Sequence, residues 1–435
     1  MRARIVAIAL TVAAAPLAAG GAVAGSSAAA PGAASSSPAA PAPEPPKTVG
    51  EFFGRTRPIL DYRLRYELVD QQGPLPVVDH AHAVTSRLRA GFETAPLLDT
   101  RLLAEGEWSL AVVEHYNDTT NDEVWYPVVA DPETIELNRL QLANASIPQT
   151  TVTLGRQRIT LDDQRFFGNV GWRQNEQTMD SLRVENKSVR DLTINAAYVI
   201  QVNRVFGNRS RQQDEDGDTA ALHFAYPTPL GTLSMFGYWV EFESRDQFSS
   251  QTYGLRFAGK KSFEPVIAHY AASYAVQADA YDYRAAAPLA GDDYVAHYFL
   301  GEAAVEWKGL RGGLSYEYLG ADDGDQAFQT PLATLHKFQG WADKFLTTPG
   351  NGVADLYIPI QYLFGDAGML EKITAQAIYH TFDSAAGDMD YGDEIDVQLA
   401  TTIKGVTVTL KYADYFADEF ATDTRKAWVS FEYVL

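Results

Sequence analysis

The regular alternation of apolar and polar residues is the feature that most constrains this sequence. From Leu60 to Leu68, leucine and tyrosine alternate with aspartate, arginine and glutamate. Successive side chains on a β-strand point to opposite faces, so such a segment has one apolar face and one charged face. The pattern predicts about eighteen strands, an even number as in single-chain bacterial barrels. The predicted strands are Leu60–Leu68, Val84–Glu93, Arg101–Val112, Ile135–Ala145, Thr151–Arg158, Gln177–Val184, Leu192–Val202, Ala220–Tyr226, Gly231–Phe242, Thr252–Lys260, Pro265–Gln277, Tyr294–Trp307, Leu310–Leu319, Val353–Leu363, Lys372–Phe382, Tyr391–Thr402, Val406–Asp414 and Arg425–Leu435.

The connections between these segments alternate between short and long. Outer-membrane barrels have short turns on the periplasmic side and long loops outside, whereas a soluble sandwich has no reason to keep that parity. The short connections include Thr94–Leu97, Ser146–Gln149, Pro227–Leu230, Lys308–Gly309 and Ile403–Gly405. The long ones are Glu114–Thr134, Ile159–Glu176, Asn203–Thr219, Ala278–Asp293 and Gly320–Gly352. We therefore predict an all-β fold, a transmembrane antiparallel up-and-down β-barrel over residues 51–435, in the outer membrane of a Gram-negative bacterium.

The N-terminal residues have the pattern of an export signal. Two arginines precede the apolar run Ile5–Leu17, and Ala22–Ala24 is a small-x-small cleavage site. Residues 1–24 are therefore predicted to be a signal peptide. The alternative is a membrane anchor, which the weakly hydrophobic Ala, Gly and Pro residues disfavour. Residues 25–50 are rich in Ala, Ser and Pro and are expected to form a disordered periplasmic tail.

The composition excludes several classes of function. The chain has no cysteine, so thiolate metal sites and cysteine nucleophiles are excluded. Its net charge of -21 disfavours nucleic acid as a partner. We expect no cofactor, although the acidic segments Asp214–Asp218 and Asp322–Asp325 could bind Ca²⁺ as outer loops or share divalent ions with lipopolysaccharide.

Arginines dominate the charged faces of the first predicted strands. An arginine facing lipid at mid-bilayer costs about 2–4 kcal/mol, so these side chains are expected to face the lumen. Each planar guanidinium can hold a carboxylate through two hydrogen bonds. Alternatively, pairs such as Arg89 with Glu93 only stiffen the wall. The candidate substrate-binding residues are Arg63, Arg65, Arg87, Arg89, Arg101, Glu105, Arg139, Arg156, Arg173 and Arg183.

Two long connections carry basic residues together with aromatic ones. The arginines around Ile159–Glu176 accompany Phe166, Phe167 and Trp172, a combination that suits either sugar stacking or an ordinary packed loop. The segment Phe328–Asn351 is long enough to fold inward and narrow the pore, or else to form an external cap. Its candidate contacts with a solute are His336, Lys337, Trp341 and Lys344.

Several stretches resemble the alginate-export family of outer-membrane porins. They are LGRQ at 154–157, DQRFFG at 163–168, GWRQ at 171–174, TMD at 178–180 and FQTPLATLHKFQGWADKFLTTPGNGVADLY at 328–357. The resemblance covers the chain after the tail. It implies a monomeric barrel with the number of strands counted above and a polyanion pathway lined by basic side chains.

Together these features predict a passive channel that exports an anionic polysaccharide such as alginate. An alternative is an uptake porin for small organic acids or oligosaccharides, and another class is a lipase-like barrel enzyme or a surface adhesin. The enzyme is disfavoured because the sequence has no Gly-x-Ser-x-Gly motif and its histidines are scattered. The expected partners are the anionic solute, outer-membrane lipid with lipopolysaccharide, and the barrel assembly machinery.

Overall fold

The chain forms a closed β-barrel in the computed structural model. The structure describes residues 46, 48–73, 77–280, 294–322 and 326–435. The predicted signal peptide, nearly all of the predicted tail and residues 323–325 of the second acidic segment lie outside this description. Within the described ranges, no helix is long and apolar enough to cross a membrane.

A short helix precedes the barrel strands. It spans Val49–Gly54, thus beginning inside the predicted tail, and its first turn is capped by the Thr48 hydroxyl, which accepts a hydrogen bond from the Glu51 amide. The barrel strands are β1 Arg57–Gln71, β2 His80–Glu93, β3 Thr100–His115, β4 Thr134–Asn144, β5 Thr150–Gln157, β6 Thr178–Asn186, β7 Thr193–Asn203, β8 Asp214–Thr228, β9 Gly231–Val240, β10 Ser250–Phe263, β11 Val266–Asp279, β12 Val295–Trp307, β13 Leu310–Leu319, β14 Val353–Ala367, β15 Leu370–Asp383, β16 Asp390–Ile403, β17 Val406–Ala417 and β18 Thr424–Val434.

These strands form one 18-stranded sheet that closes on itself. Each strand pairs antiparallel with its neighbours in sequence, and β1 also pairs with β18, where Arg63 lies opposite Glu432. Closure leaves no strand edge unpaired, as a bilayer requires. The predicted fold class is confirmed, and each predicted segment overlaps one strand.

The predicted parity of the connections is also present. Lys308 and Gly309 join β12 to β13, and both have positive φ angles (49° and 81°), as a tight two-residue hairpin turn requires. The long connections, including residues 116–133, 158–177 and 328–352, begin and end at the opposite end. One boundary was wrong: Asp214–Asp218 is the first part of β8 rather than an outer loop, and Asp216 pairs with Gln201 of β7.

Burial alternates along the strands as the sequence pattern predicts. On β1, Arg63 and Arg65 are buried, whereas Leu60 and Tyr62 are exposed. The exposed set continues around the barrel with leucines, valines, tyrosines and tryptophans, so the exterior has an apolar band. The buried core lies inside the barrel, where inward-facing side chains pack against two long loops.

Candidate functional site

Two long connections fold into the barrel and contact each other. We name residues 158–177 loop A and residues 328–352 loop B. The Gly168 amide of loop A donates to the carbonyl oxygen of Leu332 in loop B (2.9 Å). Loop A also reaches the wall, because Gln174 Nε2 donates to Thr85 Oγ1 on β2 (2.8 Å). The inward course predicted for loop B is observed, whereas the sequence did not indicate that loop A also enters the lumen.

Four predicted arginines form a row on the inner faces of β1 and β2. Arg63, Arg65, Arg87 and Arg89 all point inward, and none is more than 8% exposed. We had expected them to line an open path, but loop A covers them. Arg63 Nη1 donates to the carbonyl oxygens of Gly171 and Trp172 (both 3.1 Å). Arg65 Nη1 donates to the Trp172 carbonyl oxygen (2.7 Å). The row therefore holds the backbone of loop A.

Carboxylates neutralise this arginine row from three directions. Glu432 of β18 accepts from Arg63 Nη2 (2.7 Å) and from Arg87 Nη2 (3.0 Å). Arg89 pairs with Glu107 of β3 and lies 3.6 Å from Glu176 of loop A. Burial opposes ionisation of Glu176, but Arg89 and Arg158 lower the pKa of its carboxyl to about 2. These charges are paired and hydrogen-bonded, as burial requires.

Four further predicted residues face the lumen around this row. Glu105 is buried and receives two hydrogen bonds from Arg139, at 2.8 Å and 2.7 Å. Towards the short turns, Arg101 keeps 42% of its side chain exposed near Glu93. Arg183 also faces inward, and its Nη2 donates to Asn195 Oδ1 (2.7 Å).

The predicted lumen position of Arg156 was wrong. Arg156 lies opposite Leu140, whose side chain is exposed on the lipid-facing surface, and it shares that phase with the exposed Leu154. Its guanidinium donates to both oxygens of Asp180 (2.8 Å and 2.9 Å). The charge is tolerated there because Arg156 lies near the loop end of β5, away from the middle of the bilayer.

Arg173 belongs to loop A and connects it with its surroundings. Its Nη1 lies 3.3 Å from Glu67 Oε2 on β1, and its Nη2 lies 3.0 Å from Asp343 Oδ2 in loop B. Arg173 is therefore a bridge between the wall and both loops. In this arrangement it stabilises the packing of the loops.

Loop B contains the four predicted constriction residues, which have different surroundings. His336 and Trp341 are buried, so neither side chain is accessible to solute in this arrangement of the loops. Lys344 is half-buried, and its Nζ lies 3.4 Å from Gln71 Oε1. Lys337 is exposed inside the barrel, and its Nζ donates to the carbonyl oxygen of Asp163 (2.8 Å). The surrounding protein atoms still displace part of its hydration, and this desolvation lowers the pKa of Lys337.

The wall opposite the arginines has a different chemistry. Phe166 of loop A packs against Phe236 and Tyr298, at centroid distances of 4.8 Å and 5.3 Å. On β16, which is three strands from β1 in the closed sheet, two buried carboxylates hold loop B: Glu394 accepts from the Ala342 amide (2.7 Å) and Asp396 from the Trp341 amide (3.2 Å). Sequence reasoning missed this pair, although their alternation with Ile395 and Val397 was a signal that they face inward.

Comparison with known proteins relates this architecture to porins. No protein-family model and no curated sequence matches the chain, so the resemblance to the alginate-export family is not confirmed. Among solved structures, OccK9 (OpdG) of Pseudomonas aeruginosa has a TM-score of 0.68 at 16% identity, covering 88% of this chain and 100% of that chain. The chain has the fold of outer-membrane porins.

Two similar structures from P. aeruginosa contain small ligands. OpdK with vanillate has a TM-score of 0.67 at 14% identity, and OccK2 (OpdF) in complex with glucuronate has 0.65 at 13%. Each comparison covers 88% of this chain and 99% of that chain. The porin fold and the apolar exterior band together locate this barrel in the outer membrane of a Gram-negative bacterium.

Proposed function

We propose that this chain is a passive outer-membrane channel for the uptake of small solutes that carry a carboxylate. The observation that carries the proposal is the row of inward-facing arginines under loop A. Arginine remains charged at any physiological pH and matches a carboxylate with two parallel hydrogen bonds. A row on adjacent strands offers successive sites for the same group.

The contents of the barrel favour a small solute over a polymer. Loops A and B both cross the lumen, and their contacts include the buried hydrogen bonds of Arg165 with Glu317, Thr330 and Gln339. Arg165 thus ties loop A to loop B and to β13. A threaded polysaccharide would need a wide continuous path, whereas a small acid needs only a narrow one.

Several cations inside the barrel keep some contact with solvent and are suited to first contact with a solute. Lys337 is exposed, and Arg158 keeps 30% of its side chain exposed beside Glu176. Arg256 is less exposed and pairs with Asp163 of loop A (3.0 Å). When a solute carboxylate reaches Arg158 or Arg256, it replaces a protein carboxylate as the partner of that arginine. The net gain in binding free energy is therefore small, and the solute can move on.

The deeper arginines have unused donors. Within the part of the chain that the structure describes, Arg87 Nε and Nη1 and Arg65 Nε form no hydrogen bond with protein. A solute carboxylate could accept from these groups when residues 171–173 of loop A move aside. In that step the carboxylate replaces the backbone carbonyl oxygens that Arg63 and Arg65 now bind.

The ligands of two similar structures agree with this substrate class. Vanillate and glucuronate differ in ring chemistry, but both carry one carboxylate on a compact body. We extend only this shared group to the present chain. The ring or sugar part of the solute would then affect passage only through its size.

The test is uptake into proteoliposomes that contain the refolded barrel. We expect glucuronate to enter several-fold faster than glucose, and benzoate several-fold faster than benzyl alcohol, because each pair differs mainly in the carboxylate. Oligomeric uronates should inhibit without entering. Equal uptake within both pairs would contradict the proposal, and entry of the oligomers would favour a polysaccharide conduit instead.

A further inference from the structure

A buried lysine lies where the two inward loops meet the wall. Lys411 is on the inner face of β17 and is 7% exposed. Its Nζ lies 3.6 Å from the ring centroid of Trp341, 4.3 Å from that of Trp172 and 5.5 Å from that of Trp428. All three distances are within the range of cation–π attraction. The ammonium therefore occupies a cage of indole rings, which we name the tryptophan cage.

The fourth side of the tryptophan cage is an imidazole. Lys411 Nζ lies 2.7 Å from His336 Nε2, and His336 Nδ1 lies 2.7 Å from Asp343 Oδ1. Burial lowers the pKa of His336 well below its usual value, so the ring is neutral. A neutral ring that donates from Nδ1 to Asp343 has Nε2 free to accept the hydrogen bond of Lys411.

The neighbouring contacts extend this cluster. The Trp172 ring stacks on His336 at a centroid distance of 4.3 Å and an interplanar angle of 7°. The centroid of the Trp172 ring also lies 3.9 Å from Arg65 Cζ. Asp343 also pairs with Lys426 of β18 (2.8 Å). The cage is thus continuous with the arginine row.

The members of the tryptophan cage come from three different parts of the chain. Trp172 belongs to loop A, Trp341 and His336 belong to loop B, and Trp428 belongs to β18. A lysine ammonium is compact and strongly hydrated, so its removal from water must be compensated by all of these partners together. If one loop moved away, the ammonium would lose a face of its cage.

We propose that Lys411 is the positioning residue that holds loops A and B against each other and against the β17–β18 wall. It thereby sets the width of the path and limits its fluctuations. This inference rests on the proposed channel function, since it concerns how that channel is kept narrow. The cage has the composition of sites that bind alkylammonium ligands, and Lys411 acts as its internal ligand.

The experiment is chemical rescue in single-channel recordings. Lys411→Ala removes the ammonium and its alkyl chain, and we expect at least about a twofold rise in conductance together with frequent current fluctuations. Added n-propylammonium should suppress the current fluctuations and restore wild-type conductance, because it supplies the three carbons and the charge that the substitution removes. n-Propanol, which matches the chain without the charge, should not. Lys404→Ala, in the exposed turn between β16 and β17, is the matched control and should behave as wild type.

A second variant covers a failure of Lys411→Ala to insert. Lys411→Met nearly keeps the side-chain length without the charge, and we expect fluctuations that n-propylammonium does not suppress, because the space is filled. A wild-type barrel that passes no ions would refute the channel function itself. A selective wild-type channel with unchanged Lys411 variants would overturn the positioning role. Rescue by n-propanol as effective as that by n-propylammonium would overturn it too.

Discussion

Loop A meets two walls of the barrel whose chemistries differ. Towards β1 and β2, the contacts are guanidinium groups with carboxylates and backbone carbonyls, as in Arg63 with Gly171. Towards β9, aromatic packing dominates, with Phe167 on Tyr238 at a centroid distance of 4.8 Å, beside the hydrogen bonds of Asp162 with Ser234 and with His223 of β8. A solute carboxylate can replace a carbonyl at a guanidinium, but it cannot replace a phenyl ring in an apolar cluster. Under the proposed function, exchange with solute therefore takes place at the polar wall, whereas the aromatic contacts hold the loops.

Removing loop A should have the largest effect on conductance and selectivity, because it abolishes the contacts with both walls at once. We expect replacement of residues 166–175 by a short Gly/Ser linker to raise single-channel conductance several-fold and to remove discrimination between glucuronate and glucose. Shortening residues 204–213, which connect β7 and β8, is the control. An unchanged conductance in the loop A variant would mean that ions follow a path that this loop does not border.

The triple variant Arg65→Ser, Arg87→Ser, Arg89→Ser tests the polar wall alone. We expect carboxylate uptake to fall about tenfold, equivalent to about 1.4 kcal/mol, while the uptake of glucose changes little. The barrel should still migrate as a folded species in unheated electrophoresis, because the strand pairing is untouched. Equal losses for the acid and the neutral sugar would indicate collapse of the pore rather than lost recognition.

Phe345→Ala tests the aromatic contacts that hold loop B against β15. Phe345 is buried and packs on Phe382 at a centroid distance of 4.6 Å, so its truncation should destabilise the seating of loop B by about 3–5 kcal/mol. Limited proteolysis should then cleave within loop B, whereas the preference for carboxylates over neutral solutes should persist. Loss of that preference without new cleavage would break the proposed division between the two walls.

Arg156→Ala should have the smallest effect. Arg156 points outward and its pair with Asp180 is partly exposed, so it contributes at most about 1 kcal/mol. We expect uptake rates equal to those of wild type in the same proteoliposome assay. A clear loss of carboxylate uptake would show that solutes interact with the outer rim before they enter.

The barrel was predictable because its determinants are local. Period-two alternation sets each strand, and the turn residues set the parity of the connections, so the orientation of Arg63 and Arg65 followed from strand phase alone. The position of Arg156 was predicted wrongly because this residue was grouped with the loop that follows it. Its strand phase is that of Leu154, which predicts an outward-facing side chain.

The contacts inside the barrel were not predictable in the same way. Lys411 is the only lysine on its strand, and its partners other than Trp428 lie 70 or more residues away along the chain, with Trp341 at 70 and His336 at 75. No spacing in the sequence connects Trp172 with Trp341. Whether loop A lies inside or outside depends on the summed contacts of its two faces, which appear only once the wall is assembled.

The closing pair of strands has a consequence for the timing of assembly. Arg63 is on the first barrel strand and its partner Glu432 is on the last, while Lys411, Lys426 and Trp428 come from the final two strands. The tryptophan cage and the Glu432 contacts of Arg63 and Arg87 therefore form only once the last two strands are in place, whereas Arg89 can already pair with Glu107 of β3. The pairing of β1 with β18 thus both closes the sheet and completes the neutralisation of the arginine row. Under the proposed function, an intermediate that lacks this pairing would conduct without discriminating between solutes.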